Sequence, residues 1–338
     1  HFDVTDQWEV FAERMTDEPV IGQQAAQIRV PSEQNTEQVE GFALEPICRR
    51  PDVNERIDDG FGVIGAEGTL GIITGAALKL APRPAKSGTA VMVVKSPAAA
   101  LDLLALAGKV AGDGISAFEL LGGQGFKFLA EVGPEVKMPF DAVPEWSVLI
   151  DLGLAEGQDP LAVLTTLFEV AVEADLVTDG VIAQSEAQRR ALWMIRESIP
   201  EANRRIGSVS SHDISVPLSV IPEFIARGKT ALAALGDFRI NCFGHLGDGN
   251  LHYNVFPPTG KTRADYEHLR SDVKAIVHDL AHELEGSVSA EHGIGRLKVN
   301  DLQHYGDPVK LTMMRAVKDA LDPQGIMNPG AVLPPAGV

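Results

Sequence analysis

The chain has 338 residues, 45% hydrophobic and 22% charged, an ordinary globular composition with enough apolar content for two domains. Its 29 basic residues against 47 acidic ones give a net charge of −18, which argues against nucleic acid or an anionic membrane surface as the main partner. Cys48 and Cys242 are too few for a disulfide framework or a cysteine-held metal cluster, and no uncharged apolar run reaches the ~18 residues of a spanning helix.

The first residue is His1 rather than Met, so a native start, and any targeting segment with it, is expected to be missing; otherwise a cytoplasmic location is expected. Residues 1–60 are the least regular part, with a short helix expected at 7–16 and a strand at 26–30, stopped by Pro31. The stretch 61–85 is Gly-rich, then β-rich, and ends in a Pro-broken connector, which places a boundary near 81–88. Beyond it the periodicity predicts a strand at 88–95 and a helix at 97–111, with Ser96 as N-cap and Pro97 in the first turn. A strand or helix start at 116–122, a strand at 146–153 and a helix at 160–174 follow. Residues 185–205 are helical in period, although Pro200 should kink or divide them. A short strand at 213–217, a helix at 222–235, a hairpin over 238–256, a long amphipathic helix at 263–284 and a last helix at 308–321 complete the pattern. Strands mixed with helices at this spacing, with an antiparallel hairpin among them, indicate an α+β domain.

The hairpin RINCFGHLGDGNLHYNVF (239–256) is the most informative stretch. Asp248-Gly249 is a preferred pair for a two-residue type I′ loop, which would set His245 opposite His252. Directly opposed residues share a face with Cβ atoms about 4.5–5.5 Å apart, so both imidazoles can grip one divalent ion, and Asn254 points to the same face. Chance accounts for such a pair as well. SAEHGIG (289–295) adds Glu291 and His292, and two histidines with a carboxylate suit zinc, manganese or iron(II). Alternatively, Glu291 is a solvated residue and His292 a structural one. Arg196 in LWMIRES either clamps a carboxylate or pairs on the surface with Glu197 or Glu201.

Taken together and in order, GAEGTLGIIT (65–74), AFELLG, LWMIRES, SHDISVP, GHLGDGNLHYNV, SAEHGIGRLK and DPQGIMNPGAVLP (322–334) resemble the FAD-linked oxidase family of vanillyl-alcohol oxidase type. Within it they look most like the D-2-hydroxyacid dehydrogenase group, which includes enzymes for D-2-hydroxyglutarate and D-lactate and the glycolate oxidase flavin subunit. The resemblance covers about 61–334. It implies an FAD-binding domain with an α+β cap domain carrying an antiparallel sheet. By the same resemblance His245, His252 and Glu291 ligate a divalent metal, zinc first and manganese or iron next, and His292 is the base. Arg196, Asn254 and the position of Ser211 meet substrate. Glu67, Gly68, Thr69, Gly71, Ile72 and Asn328 lie near the flavin. The activity implied is oxidation of a D-2-hydroxyacid, D-2-hydroxyglutarate or D-lactate first, with electrons passed to an electron-transfer flavoprotein, a quinone or a cytochrome. A homodimer is compatible with the family.

Two departures stand out. Many relatives carry Lys where this chain has Ser211, which weakens a second carboxylate contact unless Arg204, Arg205 or His212 compensates. The Gly-rich pyrophosphate loops expected before GAEGTLG are also missing. The expected layout is therefore a partial FAD domain at 1–85 lacking its middle, a substrate and metal cap at 86–300, and a segment at 301–338 returning to the FAD domain. An omitted segment is the favoured explanation, and the species as it stands would then lack FAD. A flavin-free metal-dependent hydrolase or lyase, and a non-catalytic subunit, are the alternatives.

Overall fold

The computed structural model describes residues 42–45, 65–73, 77–80, 83–133 and 136–335. The helix expected at 7–16 and the strand at 26–30 lie outside these residues. Two compact units are defined by their internal contacts: His1–Arg83 with Gly293–Val338, and Pro84–His292.

The first unit contains the antiparallel pair β1 (Phe42–Glu45) and β2 (Ala77–Leu80) and the helices α7 (Val299–Tyr305) and α8 (Pro308–Leu321). The second is built on β3 (Lys86–Val94), β4 (Ile115–Gly122), β5 (Trp146–Leu154), β6 (Val177–Ile182), β7 (Asp213–Ser215), β8 (Arg239–His245) and β9 (Asn250–Phe256). Its helices are α1 (Pro97–Ala111), α2 (Gly123–Val132), α3 (Pro160–Glu173), α4 (Glu186–Ile206), α5 (Ile221–Leu235) and α6 (Arg270–Glu283). The seven strands form one sheet in the order β6-β3-β5-β4-β8-β9-β7, and every pairing is antiparallel.

Helices cover both faces of this sheet. Met92, Leu120, Val148, Ile150 and Tyr253 pack with α1, α3, α5 and α6 on one face. Val91, Leu121, Leu149, Phe243 and Phe256 pack with α2 and α4 on the other. Burial on both faces explains why β3, β4 and β5 read as nearly continuous apolar runs rather than as alternating strands. Local chemistry sets the helix starts. Ser96 accepts the Ala99 amide at 3.2 Å, Asp159 the Leu161 amide at 3.2 Å and Ser185 the Gln188 amide at 3.3 Å.

Pro200 does not divide α4, contrary to the sequence expectation. Pro200 itself is exposed, while buried Ile199, Ala202 and Asn203 on either side of it hold the helix to the sheet. The 263–284 segment is also not one helix. It opens as a 3-10 stretch, Arg263–Leu269, under a capping box of Thr262 and Asp265, and becomes α-helical at Arg270. Several elements were not expected, α2 and β6 of the second unit among them. Gly123 and Gly125 disguise α2, yet a Cβ there would come within 2.3 Å of the Pro144 oxygen and 3.2 Å of Ile199. An Asp-Gly pair in its middle disguises the sheet-edge strand β6. Among the described residues no helix is long and apolar enough to cross a membrane.

Candidate functional site

The β8–β9 hairpin does not adopt the two-residue loop expected from Asp248-Gly249. Leu246–Asp248 forms a 3-10 turn, Gly249 takes φ +74°, and the register sets His252 opposite Phe243. Two features impose the longer loop. Leu246 is fully buried and must point inward. A Cβ on Gly249 would lie 2.2 Å from the Val216 carbonyl oxygen, so only glycine fits that close approach. The slip is an even number of residues, so His245 and His252 still share the α2/α4 face, now diagonally, with ring centroids 6.1 Å apart.

Each histidine instead faces a buried carboxylate on the strand beside it. On β4, Glu119 pairs in register with His245; on β7, Asp213 pairs with His252. The Glu119 side chain, only 3% exposed, is hydrogen-bonded to His245 Nδ1 and accepts a 2.8 Å bond from Arg196 Nε. His245 Nε2 therefore points away from Glu119, to 2.7 Å from Glu291 Oε1. Ligand atoms of His245, His252 and Glu291 all lie within 4.8 Å of one another, a group that could hold a metal ion.

Asp213 builds the loop that carries Glu291. Its Oδ2 accepts the amides of Glu291 and His292 at 2.8 and 2.9 Å, while Asn250 donates to Oδ1 at 2.8 Å. His292 stacks over His252 at 6.1 Å between centroids, and its side chain is well exposed. Arg196 is buried and lies over the Phe243 ring at 4.9 Å. Among the described residues only its Nε is engaged, by Glu119, which leaves both Nη groups for a ligand. The surface pairing of Arg196 with Glu197 or Glu201 is not found: Glu201 binds Arg204 and Arg205 instead.

Charges in the cluster are held apart by their surroundings. Burial raises the Glu119 carboxyl, but the His245 hydrogen bond and the Arg196 charge outweigh it, and the pKa ends below the usual range. Burial likewise raises Asp213, and the His292 amide, Asn250 and the Glu291 amide bring it down. His245 is raised, chiefly by its hydrogen bond to Glu119. Burial and the Arg196 charge push His252 down to about 4, so its imidazole is neutral near pH 7, the form a metal requires.

The other residues singled out from sequence are placed as follows. Asn254 is buried, and its Oδ1 accepts the His212 amide at 3.1 Å. Ser211 is exposed, sharing a 2.7 Å hydrogen bond with Ser208. His212 is buried edge-on to His278, while Arg204 and Arg205 lie on the surface. In the first unit the Glu67 carboxylate accepts the Ile294 and Gly295 amides at 2.7 and 2.6 Å. Asn328 Nδ2 donates to the Glu67 carbonyl at 2.7 Å, and the Thr69 carbonyl accepts from Lys318 at 2.7 Å. These polar groups clasp the 65–70 loop. Gly68 lies beside Asn328, and past Gly71 the chain exposes Ile72. Sequence reasoning missed Glu119. Its signal was a lone acid in the apolar run AFELLG.

With this geometry established, residues 83–332 match the family described as FAD linked oxidases, C-terminal domain. The chain belongs to that family. A D-2-hydroxyglutarate dehydrogenase of Xanthomonas citri pv. viticola is 34% identical over 269 residues, covering 79% of this chain and 56% of the relative. The mitochondrial D-2-hydroxyglutarate dehydrogenase of Arabidopsis thaliana is 33% identical over 275 residues, covering 80% of this chain and 47% of the relative. The chain thus spans about half the length of these curated relatives. Its fold is similar to p-cresol methylhydroxylase with substrate bound (TM-score 0.58, 16% identity, 86% of this chain and 62% of that one). It is also similar to alkyldihydroxyacetonephosphate synthase (TM-score 0.52, 14% identity, 86% and 52%). These neighbours support the α+β architecture with a vanillyl-alcohol oxidase type of fold.

Proposed function

We propose that this chain forms the substrate and metal part of an FAD-dependent enzyme that oxidises a D-2-hydroxyacid to the 2-oxoacid. The observation that carries this reading is one buried carboxylate, Glu119, joining Arg196 to His245 of the His245/His252/Glu291 group. An arginine with two open Nη groups beside a three-donor cluster suits a molecule bearing a carboxylate and an adjacent hydroxyl.

The donor set fits a divalent metal, zinc first and manganese or iron(II) next: two imidazoles, one of them kept neutral by its surroundings, and one carboxylate. Such an ion would supply Lewis-acid polarisation of the substrate hydroxyl. Exposed backbone and apolar surface at Gly71 and Ile72 fit the edge of a ring system, and we assign Glu67, Gly68, Thr69 and Asn328 to the same flavin neighbourhood. Bound FAD would supply the acceptor for the C2 hydrogen and its two electrons.

The chain's own groups do the rest. Arg196 holds the substrate carboxylate with both Nη groups while Glu119 fixes its plane. His292, exposed and stacked on His252, takes the hydroxyl proton. Asn254, two residues beyond His252 on β9, and Ser211 are assigned to further substrate groups. The relatives' names favour D-2-hydroxyglutarate, whereas the absence of a cation at Ser211 favours D-lactate. The electron acceptor is an electron-transfer flavoprotein, a quinone or a cytochrome.

The test is anaerobic. Full-length protein is mixed with D-2-hydroxyglutarate or D-lactate while its flavin absorption is followed. Bleaching supports the reading, and the faster substrate names the acid. Full-length protein that neither retains nor binds FAD overturns it.

A further inference from the structure

We infer that Glu119 is the positioning residue of this site, setting the Arg196 plane and the His245 tautomer at once. The inference rests on the reading above, but its central measurement needs neither metal nor turnover.

The argument starts from the register. Glu119 stands opposite His245 on the neighbouring strand, buried, with each carboxylate oxygen committed to a different partner. A carboxylate is acceptor-only, so His245 must present a proton on Nδ1. Neutral, as a ligand must be, the ring then carries its lone pair on Nε2; in the metal-free protein Glu291 Oε1 lies 2.7 Å from that atom and, acceptor-only as well, competes by drawing a proton there. Without the constraint from Glu119 imidazole distributes between tautomers, and only one can donate Nε2 electrons to an ion. The second oxygen takes Arg196 Nε, and with the Phe243 ring beneath it the guanidinium keeps one orientation, Nη groups outward. Thus one side chain aligns a substrate-binding group and a metal-binding group.

A glutamine at this position cannot do both. If its oxygen faces Arg196, its amide NH₂ faces His245 Nδ1, selects the opposite tautomer and removes the Nε2 lone pair. If it is flipped, the NH₂ meets the Arg196 Nε–H, donor against donor. Asp is too short to reach both partners.

The experiment compares wild type with Glu119→Gln on the full chain. Metal is first removed with chelator, and the imidazole nitrogens are observed by 15N NMR at about pH 9, where free histidine is neutral, with Glu291→Ala added to both proteins for this measurement so that the second carboxylate is taken off the ring. In that background His245, identified by its loss in His245→Ala, should be the Nδ1–H form where Glu119 is intact, and Glu119→Gln should shift it toward Nε2–H. Zinc titration by calorimetry should then show affinity weakened about 10–100-fold, the range for loss of a supporting carboxylate. Glu119→Asp should recover neither property in full. If Glu119→Gln cannot fold with Arg196 left unpaired, the double variant Glu119→Leu/Arg196→Met removes both buried charges and, with them, every acceptor this side chain offers Nδ1–H, so the same two measurements apply. An unchanged tautomer overturns the inference, as does unchanged zinc affinity in a protein that binds zinc. A wild type in the Nδ1–H form that binds no zinc supports the tautomer role and instead defeats the metal assignment.

Discussion

Two buried carboxylates on adjacent strands hold side chains from the same helix, and they differ in what those side chains leave free. On β5, Asp151 is bonded by Thr89 Oγ1, by Trp193 Nε1 at 3.2 Å and by Arg189 at 3.4 Å. On β4, Glu119 is bonded by Arg196 and His245. Arg189, Trp193 and Arg196 follow one stripe of α4, at i, i+4 and i+7, which brings all three to the sheet. Around Asp151 the polar groups largely satisfy one another within the protein. Around Glu119 each partner keeps a reactive edge turned outward. Buried charge therefore marks a site only when its partners are incompletely used.

This contrast predicts that the Glu119 region responds to protons and ligands and the Asp151 region to temperature. The largest effect concerns His252. With a folded pKa near 4 against about 6.5 when unfolded, its neutral form is favoured in the fold. The unfolded chain then binds the extra proton, so stability falls as pH drops from about 6.5 toward 4, by up to roughly 3 kcal/mol. In chelated protein the stability of wild type relative to His252→Gln should shrink across that window by denaturant titration; a constant gap would contradict a neutral His252. Next, Asp151→Asn should cost about 2 kcal/mol, seen as a lower Tm, with zinc affinity unchanged. A loss of zinc affinity would merge the two regions. A smaller effect falls on binding alone: Arg196→Lys keeps the charge but loses the fork, and should raise the KM for the hydroxyacid about tenfold with little change in Tm. Smallest is Glu201→Gln. Its carboxyl is drawn down to about 2 by Arg204 and Arg205, yet the triad is exposed, and no measurable Tm change is expected.

Most of the second unit was legible in the sequence because its signals are local. Ser96-Pro97 announced α1, and the apolar period from Pro160 announced α3. What could not be read depends on contacts between distant segments. The hairpin register is set by the buried Leu246 and by Val216 pressing on Gly249, neither of which is implied by an Asp-Gly pair. The partners of Arg196 were sought on its own helix, although the carboxylate that meets it lies 77 residues earlier. His245 and His252 survived the wrong register only because a slip by an even number preserves the face.

Asp213 has a consequence for timing. It receives the Glu291 and His292 amides from the protein's own backbone. The loop that carries Glu291 is therefore tied down by contacts the fold itself supplies. Part of the conformational entropy of that loop is given up on folding, so the cation proposed above would meet an arranged receptor more than a chain to be ordered. Discrimination among cations should then follow ionic radius and preferred geometry, and capture should be limited by shedding of hydration water, not by motion of the polypeptide.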